Sequence, residues 1–200
     1  VLKNCRQNVF ESAAYATRSW IARRRRWFHD NVTLFVVLTH FAEQKLIAAG
    51  FDPERIRVLP NMVDLDCPQS DRRNGQYVAF SGRMSAEKGL DTLLKAAERL
   101  PDVPFRLAGD GPLLDELRSL APSNVEFVGR LDMTQMVEFY GGARFLVVPS
   151  KWYEGCPLVV SEAMSHGLPV IASRIGGLAE LIDDDTTGWM FETGKEEELA

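Results

Sequence analysis

The run YVAFSGRMSAEKGLDTLLKAAERLPDVPFRLAG, residues 77–109, decides the fold. Its first piece, YVAFSG (77–82), is a short apolar run ending at glycine, and its last piece, FRLAG (105–109), is another. Between them Leu90, Leu93, Leu94, Ala97 and Leu100 recur at helical spacing, which makes one face of that segment apolar. The run reads as strand, helix, strand.

The alternation continues downstream. VEFVG (125–129), FLVVPS (145–150), PVIAS (169–173) and WMF (189–191) are further strand candidates, with starts 20 to 28 residues apart. Helical patterns fill the gaps, one from Pro112 through Leu113, Leu114, Leu117 and Leu120, another through Met133, Met136, Val137 and Tyr140. Strands that are apolar at every position belong to parallel sheets covered on both faces. The expectation is a Rossmann-like, doubly wound α/β domain with right-handed crossovers, whose ligands bind at the carboxyl ends of the strands.

Upstream, VTLFVVLT (32–39) reads as a buried strand and HFAEQKLIAAGF (40–51) as a helix closed by Gly50. IRVLPNMVD (56–64) reads as a short strand ending in a turn at Pro60 and Asn61. CPQSDRRNGQ (67–76) is polar and rich in turn formers, so it is the expected linker. This divides the chain into 1–66, the tail of a first domain, and 77–200, a second domain.

Composition narrows the function. The chain has 200 residues, 26% charged and 46% hydrophobic, as in soluble globular proteins. A net charge of −5 weighs against nucleic acid as a partner. Residues 1–30 hold seven basic and two acidic side chains, which leaves −10 on the remainder. The stretch from Ser12 to Trp27 reads as a helix with a basic end. A solvated, Arg-capped helix is the favoured reading, since Arg stabilises a helix C-terminus anyway. Peripheral contact of residues 12–29 with anionic lipid is the alternative. The apolar run Leu34–Leu38 falls far short of the ~20 residues that span a bilayer. Three cysteines without a CxxC pair fit a reducing compartment, so a cytoplasmic location is expected. The chain opens on Val1 and ends inside KEEELA, which looks like the start of a helix; a fragment cut at both ends is the expectation.

Glycine, basic and acidic residues collect after the strands. Gly82, Arg83 and Lys88 follow the first strand of the second domain. An Arg that forks onto two oxygens and a Lys that supplies a point charge suit a diphosphate. GDGP (109–112) follows the next strand, where Gly109 allows close backbone approach. There is no GxGxxG fingerprint and no GxxxxGK[ST] loop, so nicotinamide cofactors and P-loop hydrolysis rank low. PSKWYEGCPLVVSEAM (149–164) places Glu154 and Gly155 in a loop and Pro157 at the first position of a helix to about Ser165. The free amides of Leu158 and Val159 would make an anion site at that helix start. Glu162, one turn deeper, suits ribose hydroxyls, and Glu154 suits sugar hydroxyls. His29, His40 and His166 are scattered, and no His, Cys and Asp cluster has metal-ligand spacing.

Glu154-x7-Glu162, preceded by Arg83, Lys88 and GDGP, resembles the retaining group 1 glycosyltransferases of family 4. VLPNMVD (58–64) and the stretch before it resemble that family too. The likeness runs from about residue 31 to 200. It implies one half of the two-domain GT-B fold, with the donor mainly on residues 77–200. It also implies a UDP- or GDP-sugar donor and a glycan or lipid-linked acceptor, as in polysaccharide biosynthesis. In that family Arg83 and Lys88 would hold the donor diphosphate, helped by the Leu158 and Val159 amides. Glu162 would bind ribose, Glu154 and Gly155 would meet the transferred sugar, and Arg130 and Leu131 would lie at the base. The resemblance makes Arg83, Lys88 and Glu154 the catalytic candidates, with front-face transfer, retention and no divalent metal or other cofactor. Cys156 departs from the pattern, where an aromatic is commoner. A GT-B nucleotide-sugar epimerase and a non-catalytic nucleotide-sugar-binding module are the alternative readings. The 200-residue chain itself is expected to bind donor without transferring sugar.

Overall fold

The structure, a computed structural model, describes residues 9–63 and 75–200. Most of the expected linker, with Cys5 and Cys67, lies outside the described residues.

The first unit is small. Helices α1 (Val9–Arg24) and α2 (Trp27–Asn31) precede strand β1 (Phe35–Val37), helix α3 (His40–Ala48) and strand β2 (Ile56–Val58). The helix with a basic end expected over 12–27 is α1, which carries Arg23 and Arg24 in its last turn and stops at Arg24, so that Trp27 opens α2. The chain breaks at Arg26, whose φ of 51° is left-handed and ends regular α geometry. β1 and β2 pair in parallel, Phe35 opposite Ile56. The expectation that 32–39 is a buried strand is corrected. Only three residues are extended, and Val36 is 56% exposed, because β2 is the one strand beside β1 among the described residues. α3 starts at Thr39, whose side chain accepts from the Ala42 amide, and closes at Gly50, where φ is +87°.

The second unit is the expected sheet. In chain order its elements are β3 (Tyr77–Ser81), α4 (Leu90–Arg99), β4 (Phe105–Ala108), α5 (Leu114–Leu120), β5 (Val125–Gly129), α6 (Met133–Gly141), β6 (Ala143–Val148), α7 (Leu158–Ser165), β7 (Val170–Ser173), α8 (Leu178–Leu181), β8 (Gly188–Phe191) and α9 (Glu196–Leu199). The spatial order is β5-β4-β3-β6-β7-β8, and every pairing is parallel. Strand order therefore reverses between β3 and β6, the point at which ligands bind in doubly wound sheets.

Alternate residues of each strand face opposite layers. Tyr77, Ala79, Leu146 and Val148 pack with Tyr140, Val160, Ala163 and Leu178 on one side. Val78, Phe80, Leu107 and Val147 pack with Leu90, Leu93, Leu94 and Leu117 on the other. Two covered faces are why β3 is apolar from Tyr77 to Phe80 and β6 from Phe145 to Val148. Each Leu fully buried here contributes roughly 1.5–3 kcal/mol.

Three boundaries differ from expectation. β6 begins at Ala143 and ends at Val148, because Ala143 pairs with Tyr77 across a register shift. α5 begins at Leu114, because the Leu113 amide is held by the Met84 carbonyl at 3.0 Å. Pro157 is the N-cap of α7 rather than its first helical residue, since its backbone is still extended.

Candidate functional site

The loops after β3, β4 and β5 converge at the reversal point. The Gly82 amide donates to the Ala108 carbonyl at 3.0 Å, and the Gly109 amide donates to the Gly129 carbonyl at 2.7 Å. Gly109 has φ +130°, and a Cβ there would lie 1.9 Å from the Gly82 carbonyl oxygen. Only glycine permits this approach. The result is a hollow of about 430 Å³ lined by Gly82, Arg83, Gly109, Arg130, Leu131 and Met136, among others. Arg83 enters none of the ion pairs among the described residues. It contributes, with Lys88, to a field that favours the charged form of Glu87. The larger causes of that low carboxyl pKa are the hydroxyl of Ser85, donating at 2.7 Å, and a backbone hydrogen bond.

A second hollow of about 400 Å³ shares Leu131 and Met136 with the first and adds Tyr140, Leu158 and Glu162. The Tyr140 hydroxyl donates to Glu162 Oε2 at 3.3 Å. Burial pushes the Tyr140 hydroxyl pKa well up, and the Glu162 charge pushes it further, against an opposing hydrogen bond from Ser81. Tyr140 therefore stays protonated and holds Glu162, on α7, against α6.

Lys88 ends a short 3₁₀ turn, Ala86–Lys88, before α4. Gly89 follows with φ +69°, and a Cβ there would lie 1.9 Å from the Pro149 carbonyl oxygen. The Lys151 amide donates to the Glu87 carbonyl at 2.8 Å. These contacts press the turn against the loop after β6. There Lys88 Nζ and Ser150 Oγ both donate to Glu154 Oε1, each at 2.7 Å. The Lys88 and Glu154 side chains are 26% and 17% exposed. At the start of α7 the Val160 amide donates to the Pro157 carbonyl, while the Leu158 and Val159 amides take no backbone partner among the described residues.

The structure thus gathers Gly82, Arg83, Gly109, Arg130 and Leu131 around one hollow and puts Glu162 and Leu158 in the next. It also joins Lys88, expected on an anion, to Glu154, expected on sugar hydroxyls. Ser81, Ser150 and Tyr140 were missed. Tyr140 sits on the apolar face of its helix in the sequence pattern, and the signal in it is its hydroxyl, which needs a partner once buried. Among the described residues, no three His, Cys, Asp or Glu side chains come together as metal ligands. No described helix is long and apolar enough to cross a membrane.

Residues 75–200 match the family described as "Glycosyl transferases group 1", and residues 7–67 match "Glycosyltransferase Family 4". The chain is 36% identical over 206 residues to sulfoquinovosyl transferase SQD2 of Arabidopsis thaliana, covering 92% of this chain and 40% of that protein. It is 38% identical over 161 residues to a glycogen synthase of Thermus thermophilus, covering 72% and 37%. The chain thus spans about 40% of the length of these curated relatives. Among solved structures, sucrose-phosphate synthase from Thermosynechococcus elongatus aligns with a TM-score of 0.78 and 26% identity, covering 92% of this chain and 50% of that one. Anabaena Alr3699/HepE in complex with UDP-glucose aligns with a TM-score of 0.77 over 86% of this chain and 53% of that one. At 23% identity the second likeness is one of fold.

Proposed function

This chain belongs to the group 1 glycosyl transferases, and on that premise we propose that it is the donor-binding part of a retaining glycosyltransferase. The donor is a nucleoside-diphosphate sugar, and the acceptor is a glycan or a lipid-linked glycan. The observation that carries the reading is the pair of adjoining hollows at the strand-order reversal. One presents Arg83 and Arg130 beside glycine backbone, and the other presents Glu162.

In this reading Arg83, Lys88 and the amides of Leu158 and Val159 take the diphosphate. Glu162 accepts from the ribose hydroxyls, and Glu154 accepts from hydroxyls of the sugar. The base lies against Arg130 and Leu131. In the transfer, the bond from the sugar's anomeric carbon to the diphosphate oxygen breaks. An acceptor oxygen bonds to that carbon on the same face, and its proton passes to the departing phosphate. Configuration is retained. Negative charge builds on the leaving group, and Arg83, together with Lys88 released from Glu154, stabilises it. The reading requires no metal or cofactor, because these cations meet the charge.

Thermal-shift and calorimetric titrations with UDP, GDP and ADP test this. One nucleotide is expected to bind, and Arg83→Ala is expected to weaken it at least about tenfold, as loss of a charge-assisted contact does. A folded chain that binds none of the three refutes the reading.

A further inference from the structure

The loop that carries Glu154 is held from two sides. Lys88 and Ser150 hold its carboxylate from the sheet side. The small first unit holds its backbone from the other. Asn61, three residues past β2, donates from Nδ2 to the Cys156 carbonyl at 2.7 Å, across 95 residues of sequence. Cys156 is 5% exposed, so without Asn61 its carbonyl would lose that partner in a poorly solvated place. The Glu154 carbonyl is taken by the Gly177 amide at 3.1 Å. A Cβ on Gly177 would lie 2.2 Å from the Gly155 carbonyl oxygen and 2.8 Å from Thr39 Cγ2. The first unit therefore reaches the same turn twice.

Two further contacts fix the approach. The Tyr153 ring packs on Phe41, with centroids 4.8 Å apart, and Lys45 Nζ lies 5.3 Å from the Tyr153 centroid. Glu180 of α8 accepts from the His40 amide at 2.7 Å and from the Phe41 amide, capping the N-terminus of α3. α3 is thereby seated on the second unit beside the Glu154 loop.

We propose that Asn61 is a positioning residue for the sugar end of the donor site: by holding the Cys156 carbonyl it fixes where Glu154 stands relative to the start of α7. The inference rests on the donor-binding reading above. The position of Arg83 does not depend on Asn61, because Arg83 sits on the loop after β3. The start of α7 is kept by its own first turn, where the Val160 amide binds the Pro157 carbonyl at 3.1 Å. What Asn61 governs is the short turn between them, and hence the sugar contact rather than the diphosphate contact.

The test compares each nucleotide with its sugar conjugate on the 200-residue chain: UDP with UDP-glucose, GDP with GDP-mannose, ADP with ADP-glucose. The pair that the unsubstituted chain binds is carried forward to Asn61→Asp, which keeps the shape and loses the donor. The sugar conjugate is expected to weaken about tenfold, the size of one lost hydrogen bond in a buried place, while the bare nucleotide does not weaken. Asn61→Ala is read in the same way should the aspartate variant not fold. Its amides at residues 153–156 are also expected to exchange faster with no ligand present. Equal weakening of both ligands, or an unchanged ratio with unchanged exchange, overturns the inference while leaving the donor-binding reading in place. A folded unsubstituted chain that binds no nucleotide overturns both.

Discussion

Glu154→Gln is expected to make the nucleotide bind more tightly, opposite to what deleting a site residue usually gives. Glu154 Oε1 takes Lys88 Nζ and Ser150 Oγ, each at 2.7 Å, in a partly buried setting. A nucleoside diphosphate that recruits Lys88 must break that pair, and a bare nucleotide offers Glu154 nothing in exchange. A hydrogen bond to a charged group is worth about 2 kcal/mol net. Replacing the carboxylate with an amide keeps the shape and roughly halves the bond. About 1 kcal/mol of opposition is then removed, close to a fivefold gain in affinity for UDP, GDP or ADP, whichever binds. The sugar conjugate shows no such gain, because in the unsubstituted chain its hydroxyls replace Lys88 on Glu154. Calorimetric titration of both ligands at 150 mM salt measures this. A nucleotide affinity that is unchanged or lower in Glu154→Gln refutes the idea that Lys88 is shared between Glu154 and the diphosphate.

Three further outcomes are expected. Tyr140→Phe removes the hydroxyl that donates to Glu162 at 3.3 Å, so the preference for a ribonucleotide over its 2′-deoxy form should shrink by about threefold to tenfold, in line with one hydrogen bond. A preserved ratio would take Tyr140 out of the ribose contact. Leu107→Ala, at a fully buried position of β4, should cost about 2–5 kcal/mol in urea unfolding; a loss below about 1 kcal/mol would mean the layer beneath α4 collapses onto the gap. The His40 pKa is raised above its ordinary 6.5, first by the hydrogen bond between Nδ1 and Glu43. Its folded pKa lies above the unfolded one, so its contribution to stability is full below about pH 6.5 and disappears as pH rises through the folded value. An NMR titration should give a His40 midpoint above 6.5 that falls in Glu43→Gln, and a midpoint that ignores Glu43 would remove the cause.

Much of the sheet was legible because both its faces are covered. Val78 and Phe80 face one layer while Tyr77 and Ala79 face the other, so no polar residue interrupts the run. The same signature misled at residues 32–39, where an apolar run belongs to a strand with one neighbour and an exposed face. Strand ends blurred where Ala143 and Arg144 join β6, since neither is a strong strand former and the pairing of Ala143 with Tyr77 is set by topology. In the site, Gly82, Arg83 and Gly109 stand out in the sequence as glycines and a cation after parallel strands, and the structure gathers them around one hollow. The pairings of Lys88 with Glu154, 66 residues apart, and of Asn61 with Cys156, 95 apart, do not stand out there. Nothing local in either member names the other, and only the winding of the sheet brings them together. Tyr140 was hidden by its ring, which serves the core as any aromatic would, while its hydroxyl serves Glu162.

The most direct measurement is a crystal structure of the chain with the nucleoside diphosphate that binds it. The account predicts phosphate oxygens within hydrogen-bond reach of Arg83 and Lys88, the ribose on Glu162, and the base against Arg130 and Leu131. A nucleotide bound elsewhere, or one in this cleft with the ribose turned away from Glu162, would contradict it.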